Sequence, residues 1–172
     1  MEALAGVEDH PLSNQYPCRT PVWWARVGVV QKNPSLRGVS GRNIVMRIPK
    51  QFGRIEGWFA SVLRAPREVR RPLDTMNSML WELCDGSRTF GEVCSIMNDI
   101  FHEEIAPVMQ RTATAIGLLQ RNNLMLMLDE PLNGRWIIGP GRTPEHQVLG
   151  ELPADHPYDL SLIHISEPTR PR

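Results

Sequence analysis

The chain has 172 residues, with 19 Lys plus Arg against 19 Asp plus Glu and a formal net charge of zero. That balance excludes a whole-molecule field that would gather a polyanion, so binding to nucleic acid or membrane would need a local patch. The length suits one domain with appendages.

The N-terminal "MEALAGVEDH" carries acid where a secretory signal has a basic start, and no apolar run reaches the roughly 18 residues of a membrane span. A cytoplasmic protein without a membrane anchor is expected. Residues 1–17 mix Pro, Asn, Ser and acid without apolar periodicity and read as a poorly ordered leader. Order is expected from "PCRTPVWWARVGVV", where Val22, Trp24 and Arg26 alternate with Trp23, Ala25 and Val27 in a first strand. After a Pro- and Gly-containing connection, Ile44, Met46 and Ile48 alternate with Val45 and Arg47, the pattern of a half-buried strand in an antiparallel sheet. Ile55, Trp58, Phe59, Val62 and Leu63 then change to helical spacing, a short amphipathic stripe that packs as a lid or meets a partner. "APREVRRPLD" is a third, brief extended run. Pro72 cannot donate a ladder hydrogen bond, which places it at a sheet edge or at the strand's own end and not in the middle of a sheet.

From Asp74 the helical signals are clear. Asp74 or Thr75 caps a first helix with Met76, Met79, Leu80, Leu83 and Cys84 on one face, and Asp85-Gly86 ends it. "TFGE" is a capping box in which Thr89 and Glu92 satisfy each other's backbone N–H groups, opening a second helix with Phe90, Val93, Met97, Ile100 and Phe101 inward. Pro107 fits the first turn of a third helix, whose stripe is Ile105, Val108, Thr112, Ala115, Ile116 and Leu119, and Asn122-Asn123 can end it. "LMLML" is then a closing strand or a packed tail. Residues 130–159 are rich in Pro and Gly and read as a loosely ordered tail. The final "LSLIHISEPTRPR" bears no relation to the pattern before it and resembles, from Leu160 to Arg170, the translation of a sequencing-library adapter, so 160–172 are set apart from the domain at 18–129.

No G-x-S-x-G, G-x-x-x-x-G-K, H-E-x-x-H or G-x-G-x-x-G occurs. Cys18, Cys84 and Cys94 form no C-x-x-C pair and stand beside no His at metal-ligand spacing, which reads as buried thiols in a reducing compartment. His102, flanked by Glu103 and Glu104, is better explained as a solvated turn at a helix start than as a proton-transfer site. Asp74, Glu82 and Asp85 read as caps and surface. Neither catalytic residues, a metal nor a cofactor is expected, and the chain reads as a non-enzyme. The basic run is more telling: Arg64, Arg67, Arg70 and Arg71 meet one acid, Glu68. Such a run can grip phosphates or an acidic peptide, or keep an exposed edge strand from aggregating. A charged edge strand is also an open template for an added strand.

Leu73-Asp74, Ser78, Leu80-Trp81, Asp85-Gly86, Thr89 with Glu92-Val93, and Phe101 together resemble the PqqD-like family of peptide-recognition domains, the RiPP recognition elements. The resemblance runs over roughly residues 18 to 128 and is strongest from Arg70 to Leu124; the chain departs from the family at Thr75, Asn77 and His102. It implies an α+β, winged helix-turn-helix-like fold, with a three-stranded antiparallel sheet followed by a three-helix group. It also implies that the leader segment of a precursor peptide adds to the third strand and lies against the third helix. A modifying enzyme, often a radical SAM enzyme, then acts on the presented peptide in RiPP or pyrroloquinoline quinone type biosynthesis. Carried onto this chain, the strand is Arg67, Glu68, Val69, Arg70 and Arg71, and the groove wall is Val108, Arg111, Thr112 and Ala115.

Two rivals stand beside this expectation. A winged-helix DNA-binding regulator would use the third helix, but Gln110, Arg111, Thr114, Gln120 and Arg121, preceded by Glu103 and Glu104, make a thin basic footprint. A scaffold would dock another protein through Trp58 and Phe59.

Overall fold

The computed structural model describes residues 4–50 and 68–161. The described residues form a mixed α+β structure with antiparallel sheets and three α-helices. Strands β2 (Trp23–Val27), β3 (Asn43–Pro49) and β4 (Glu68–Pro72) form one antiparallel sheet in that order. Trp24 faces Met46 across β2–β3, and Val69 faces Ile48 across β3–β4. These are the three runs expected from alternation. A second sheet pairs β1 (Tyr16–Arg19) antiparallel with β5 (Met125–Leu128), so "LMLML" is a strand, with a partner that no sequence pattern marks. The helical stripe from Ile55 to Leu63, with Arg64 and Arg67, lies outside the described residues, as do 162–172 of the adapter-like end.

Helix α1 (Thr75–Leu83) starts where Asp74 accepts the Asn77 N–H at 2.7 Å. Helix α2 (Phe90–Phe101) starts on the expected capping box: Glu92 N–H donates to Thr89 Oγ1 at 3.2 Å, and Thr89 N–H donates to Glu92 Oε2 at 2.7 Å. Between them Gly86 has φ +77°, and a Cβ there would lie 2.7 Å from Leu132 and 2.9 Å from the Cys18 sulfur, so two constraints demand glycine. A 3₁₀ turn (His102–Ile105) leads through Pro107 into α3 (Val108–Arg121). Asn122 caps its end and Asn123 takes φ +56°. Among the described residues, no helix is long and apolar enough to cross a membrane.

The main core joins one face of the larger sheet to the helices. Trp24, Ile44 and Met46 meet Met79, Leu80, Trp81, Phe90, Val93 and Met97 there. Ser78 is the small residue that lets α1 lie on the sheet: its Oγ accepts the Ile44 N–H at 2.9 Å and donates to Leu73 O at 3.2 Å. The opposite face corrects the half-buried expectation. Trp23, Ala25 and Val45 form a second buried cluster under Leu149, Leu152, Tyr158 and Leu160, and Arg47 on the same face is only 3% exposed. The tail therefore roofs the sheet. Its anchors are directional: Trp24 Nε1 donates to Ile138 O at 2.9 Å, and Trp136 Nε1 donates to Arg19 O at 3.0 Å. At the other terminus, residues 4–15 form successive hydrogen-bonded turns, with Val7 in the main core and His10 stacked on Phe90 at 4.7 Å.

Glu82 also differs from its surface reading. It is 1% exposed, and Oε1 accepts from Arg26 Nε at 2.7 Å. The Ser40 N–H (2.9 Å), Ser40 Oγ (2.9 and 3.0 Å) and Gly41 N–H (3.2 Å) complete its shell. Arg19, likewise buried, spans Trp24 and Trp81 at 5.1 and 5.8 Å and donates to Trp81 O and Glu82 O. The buried Glu82 charge is tolerated because it is paired and hydrogen-bonded, whereas the Nε of the buried Arg19 has no hydrogen-bond partner among the described residues.

Candidate functional site

The two edges of the larger sheet differ in what their backbones do. In an antiparallel ladder, alternate residues point both N–H and C=O at the same neighbour. Leu73 N–H donates to Ile44 O at 2.8 Å, which sets the phase on that side: Val69 and Arg71 address β3. The outward N–H and C=O groups then belong to Glu68 and Arg70, with the Pro72 carbonyl beyond them. Among the described residues, β3 is the strand partner of β4 and nothing pairs its outer side.

The β2 edge shows the same phase and the opposite outcome. Trp24 O accepts from Gly141 N–H at 2.8 Å. Arg26 N–H donates to Asp159 O at 3.2 Å, and Asp159 N–H donates to Arg26 O at 2.8 Å. The Asp159 carboxylate is held by Arg42 at 2.6 Å, and Arg26 reaches on to Ser161 O at 2.8 Å. The tail thus occupies this edge at the Trp24 carbonyl and at Arg26.

Side chains of β4 divide between the faces. Glu68, Arg70 and Pro72 share the roofed face with Arg47 and Val45, while Val69 and Arg71 lie on the helix side with Ile48 and Met46. Arg47 grips Glu68 through two bonds, Nε–Oε1 at 3.0 Å and Nη2–Oε2 at 2.8 Å, and Gly150 N–H adds a third at 3.2 Å. Arg47 also donates to Gly150 O and lies over Trp23 at 4.8 Å. Burial alone would raise the Glu68 carboxyl, but the hydrogen bonds from Arg47 and Gly150 and the charges of Arg47 and Arg70 outweigh it and hold it below its ordinary value. Arg70 is freer: it stands 3.8 Å from Glu68, lies 5.9 Å from the Tyr158 ring centre, and its side chain is 54% exposed. Arg71 is exposed and makes no ion pair with any described residue.

The structure thus gathers Glu68, Val69, Arg70 and Arg71 into one strand that is the sheet's edge among the described residues, whereas Arg67 lies outside them. On α3 the expected groove residues separate. Val108 and Thr112 are buried at 7% and 2% exposure. Ala115 is half-buried against the same core, and Arg111 is exposed, its Nη1 donating to Glu104 O at 2.5 Å. Val108 also lines a cleft of about 570 Å³ with Leu4, Ala5, His10 and Met109, and no β4 residue lines it. His102, Glu103 and Glu104 are exposed, with Glu104 at 3.9 Å from Lys32 Nζ. Among the described residues, no group of three or more His, Cys, Asp or Glu side chains could hold a metal ion.

No sequence pattern marks the Arg47–Glu68–Gly150 link or the Asp159 clamp. Each joins residues distant in the chain, and their only local trace is a charged residue at a strand position where an apolar one is usual. No family model, curated protein or solved structure matches the chain.

Proposed function

We propose that this chain binds the leader segment of a precursor peptide by strand addition to β4 and presents it to a modifying enzyme. The reading takes the chain as a PqqD-like, winged helix-turn-helix relative, with a radical SAM enzyme as the expected partner in RiPP or pyrroloquinoline quinone type biosynthesis. One observation carries it. The outward backbone groups of Glu68 and Arg70 have no partner among the described residues, while on the opposite edge the Trp24 carbonyl and both backbone groups of Arg26 are bonded to the tail. Backbone pairing of that kind supplies affinity without demanding a particular sequence, and neighbouring side chains then choose the peptide.

On α3, Arg111 and the accessible part of Ala115 are the expected contacts; Val108 and Thr112 act through the core that positions the helix. The test is a titration of the whole chain with leader peptides from precursor genes on the same contig, followed by amide shift mapping. Saturable binding with shifts centred on Glu68–Arg71 and α3 is the expected result. Saturable, salt-dependent binding to random duplex DNA with no peptide response would replace this reading with the winged-helix regulator.

A further inference from the structure

Building on strand addition at β4, we propose that the accepted peptide is acidic at two consecutive positions, with one carboxylate on each face of the extended sheet. Period two puts Arg70 and Arg71 at adjacent positions on opposite faces. Neither cation has a close ion pair among the described residues. Arg70 has only a long 3.8 Å approach to a Glu68 carboxylate that Arg47 already holds at 2.8 and 3.0 Å, and Arg71 has no ion pair with any described residue. The open edge therefore ends in positive charge on both faces, and an incoming strand places its side chains directly beside it.

The backbone fixes which position meets which charge. In an antiparallel addition, the peptide residue opposite Arg70 exchanges both backbone hydrogen bonds with it and shares its face. The preceding peptide residue falls opposite Arg71, on the helix side. The following one falls opposite half-buried Val69 and is apolar. The next falls opposite Glu68 and is not acidic, because like charges directly across a ladder repel. Pro72 offers only a carbonyl and ends the ladder. Read from N to C, the ligand pattern is acidic, acidic, apolar, non-acidic; a parallel strand reads it in reverse.

The test uses labelled eight-residue peptides against the full chain, read by fluorescence anisotropy. The peptides carry Glu-Glu-Val-Thr, the isosteric Gln-Gln-Val-Thr, the reversed Thr-Val-Glu-Glu, Glu-Val-Glu-Thr with both carboxylates on one face, and Lys-Lys-Val-Thr. Glu-Glu-Val-Thr or its reverse should bind about three- to tenfold more tightly than the Gln peptide, the range of two exposed cross-strand ion pairs. That gap should shrink at about 0.5 M salt. The double variant Arg70→Glu with Arg71→Glu, checked for folding by circular dichroism, should prefer the Lys-Lys peptide. Equal affinity of Glu-Glu and Gln-Gln peptides with amide shifts still at β4, or preference for the one-faced peptide, overturns the acidic pattern and leaves strand addition standing. Binding of no peptide at all overturns both.

Discussion

Glu82 holds a carboxylate in a site 1% exposed to solvent, where Arg26, Ser40 and Gly41 surround it. Removing one member of a buried pair strands the other charge in low dielectric. Glu82→Ala should lower the unfolding free energy by about 3–5 kcal/mol, measured by denaturant titration, whereas a surface acid such as Glu103 should change it by less than about 0.5 kcal/mol. Glu68 makes a different prediction because its carboxyl is held below its ordinary value in the folded chain. Such a group contributes its full stability above the unfolded value and loses it as the pH falls through the lower folded value. The Gly150 amide resonance should therefore move on acidification below the ordinary carboxylate range, and Glu68→Gln should remove that movement. The thiols supply a third check. Burial pushes Cys18 up to about 11 and Cys94 up to about 12, and raises Cys84 as well, so few thiolates exist at neutral pH. A thiol reagent should leave all three unmodified in the native protein and label them on unfolding.

Among the elements, β4 separates two kinds of backbone amide within adjacent residues. Arg71 N–H faces β3, whereas Arg70 N–H faces outward, so proline distinguishes them. Arg70→Pro should abolish peptide binding with little change in thermal stability. Arg71→Pro should cost about 2 kcal/mol or more of stability by breaking the β3 ladder. Loss of stability in the first variant without loss of binding would refute the assigned phase. The strands at Trp23, Asn43 and Glu68, the Thr89–Glu92 capping box and the three helices were legible because each rests on local period or a capping pattern. The β1–β5 pair was not, since its strands have four residues each and lie about a hundred positions apart, one of them containing Pro17. Pro72 pointed to a sheet edge or a strand end for β4, yet periodicity could not say whether Val108 and Thr112 faced a ligand or the core, because both sides of a packed helix can present the same residue types.

At the scale of the molecule, the tail completes the sheet twice, as a roof and as an edge. Leu149, Leu152, Tyr158 and Leu160 cover Trp23, Ala25 and Val45, while Gly141 bonds the Trp24 carbonyl and Asp159 bonds both backbone groups of Arg26 on the outer side of β2. The apolar residues that do this are spaced irregularly among Pro and Gly, so neither helical nor strand periodicity marks them. Truncation after Pro140 should lower the unfolding free energy by about 3 kcal/mol, from lost apolar burial alone, and should raise light scattering as the β2 edge opens. Truncation after Asp159 should preserve the edge and cost less.

The unequal edges also bound how far the sheet can grow. A protein with two receptive margins can join its copies head to tail without limit, as fibrils do. With the β2 margin occupied by its own tail, β4 is the margin of this sheet left open among the described residues. One peptide per chain completes that addition. If two copies met instead, they would have to join β4 to β4, an assembly that terminates at two and sets Arg70 and Arg71 of each copy against those of the other.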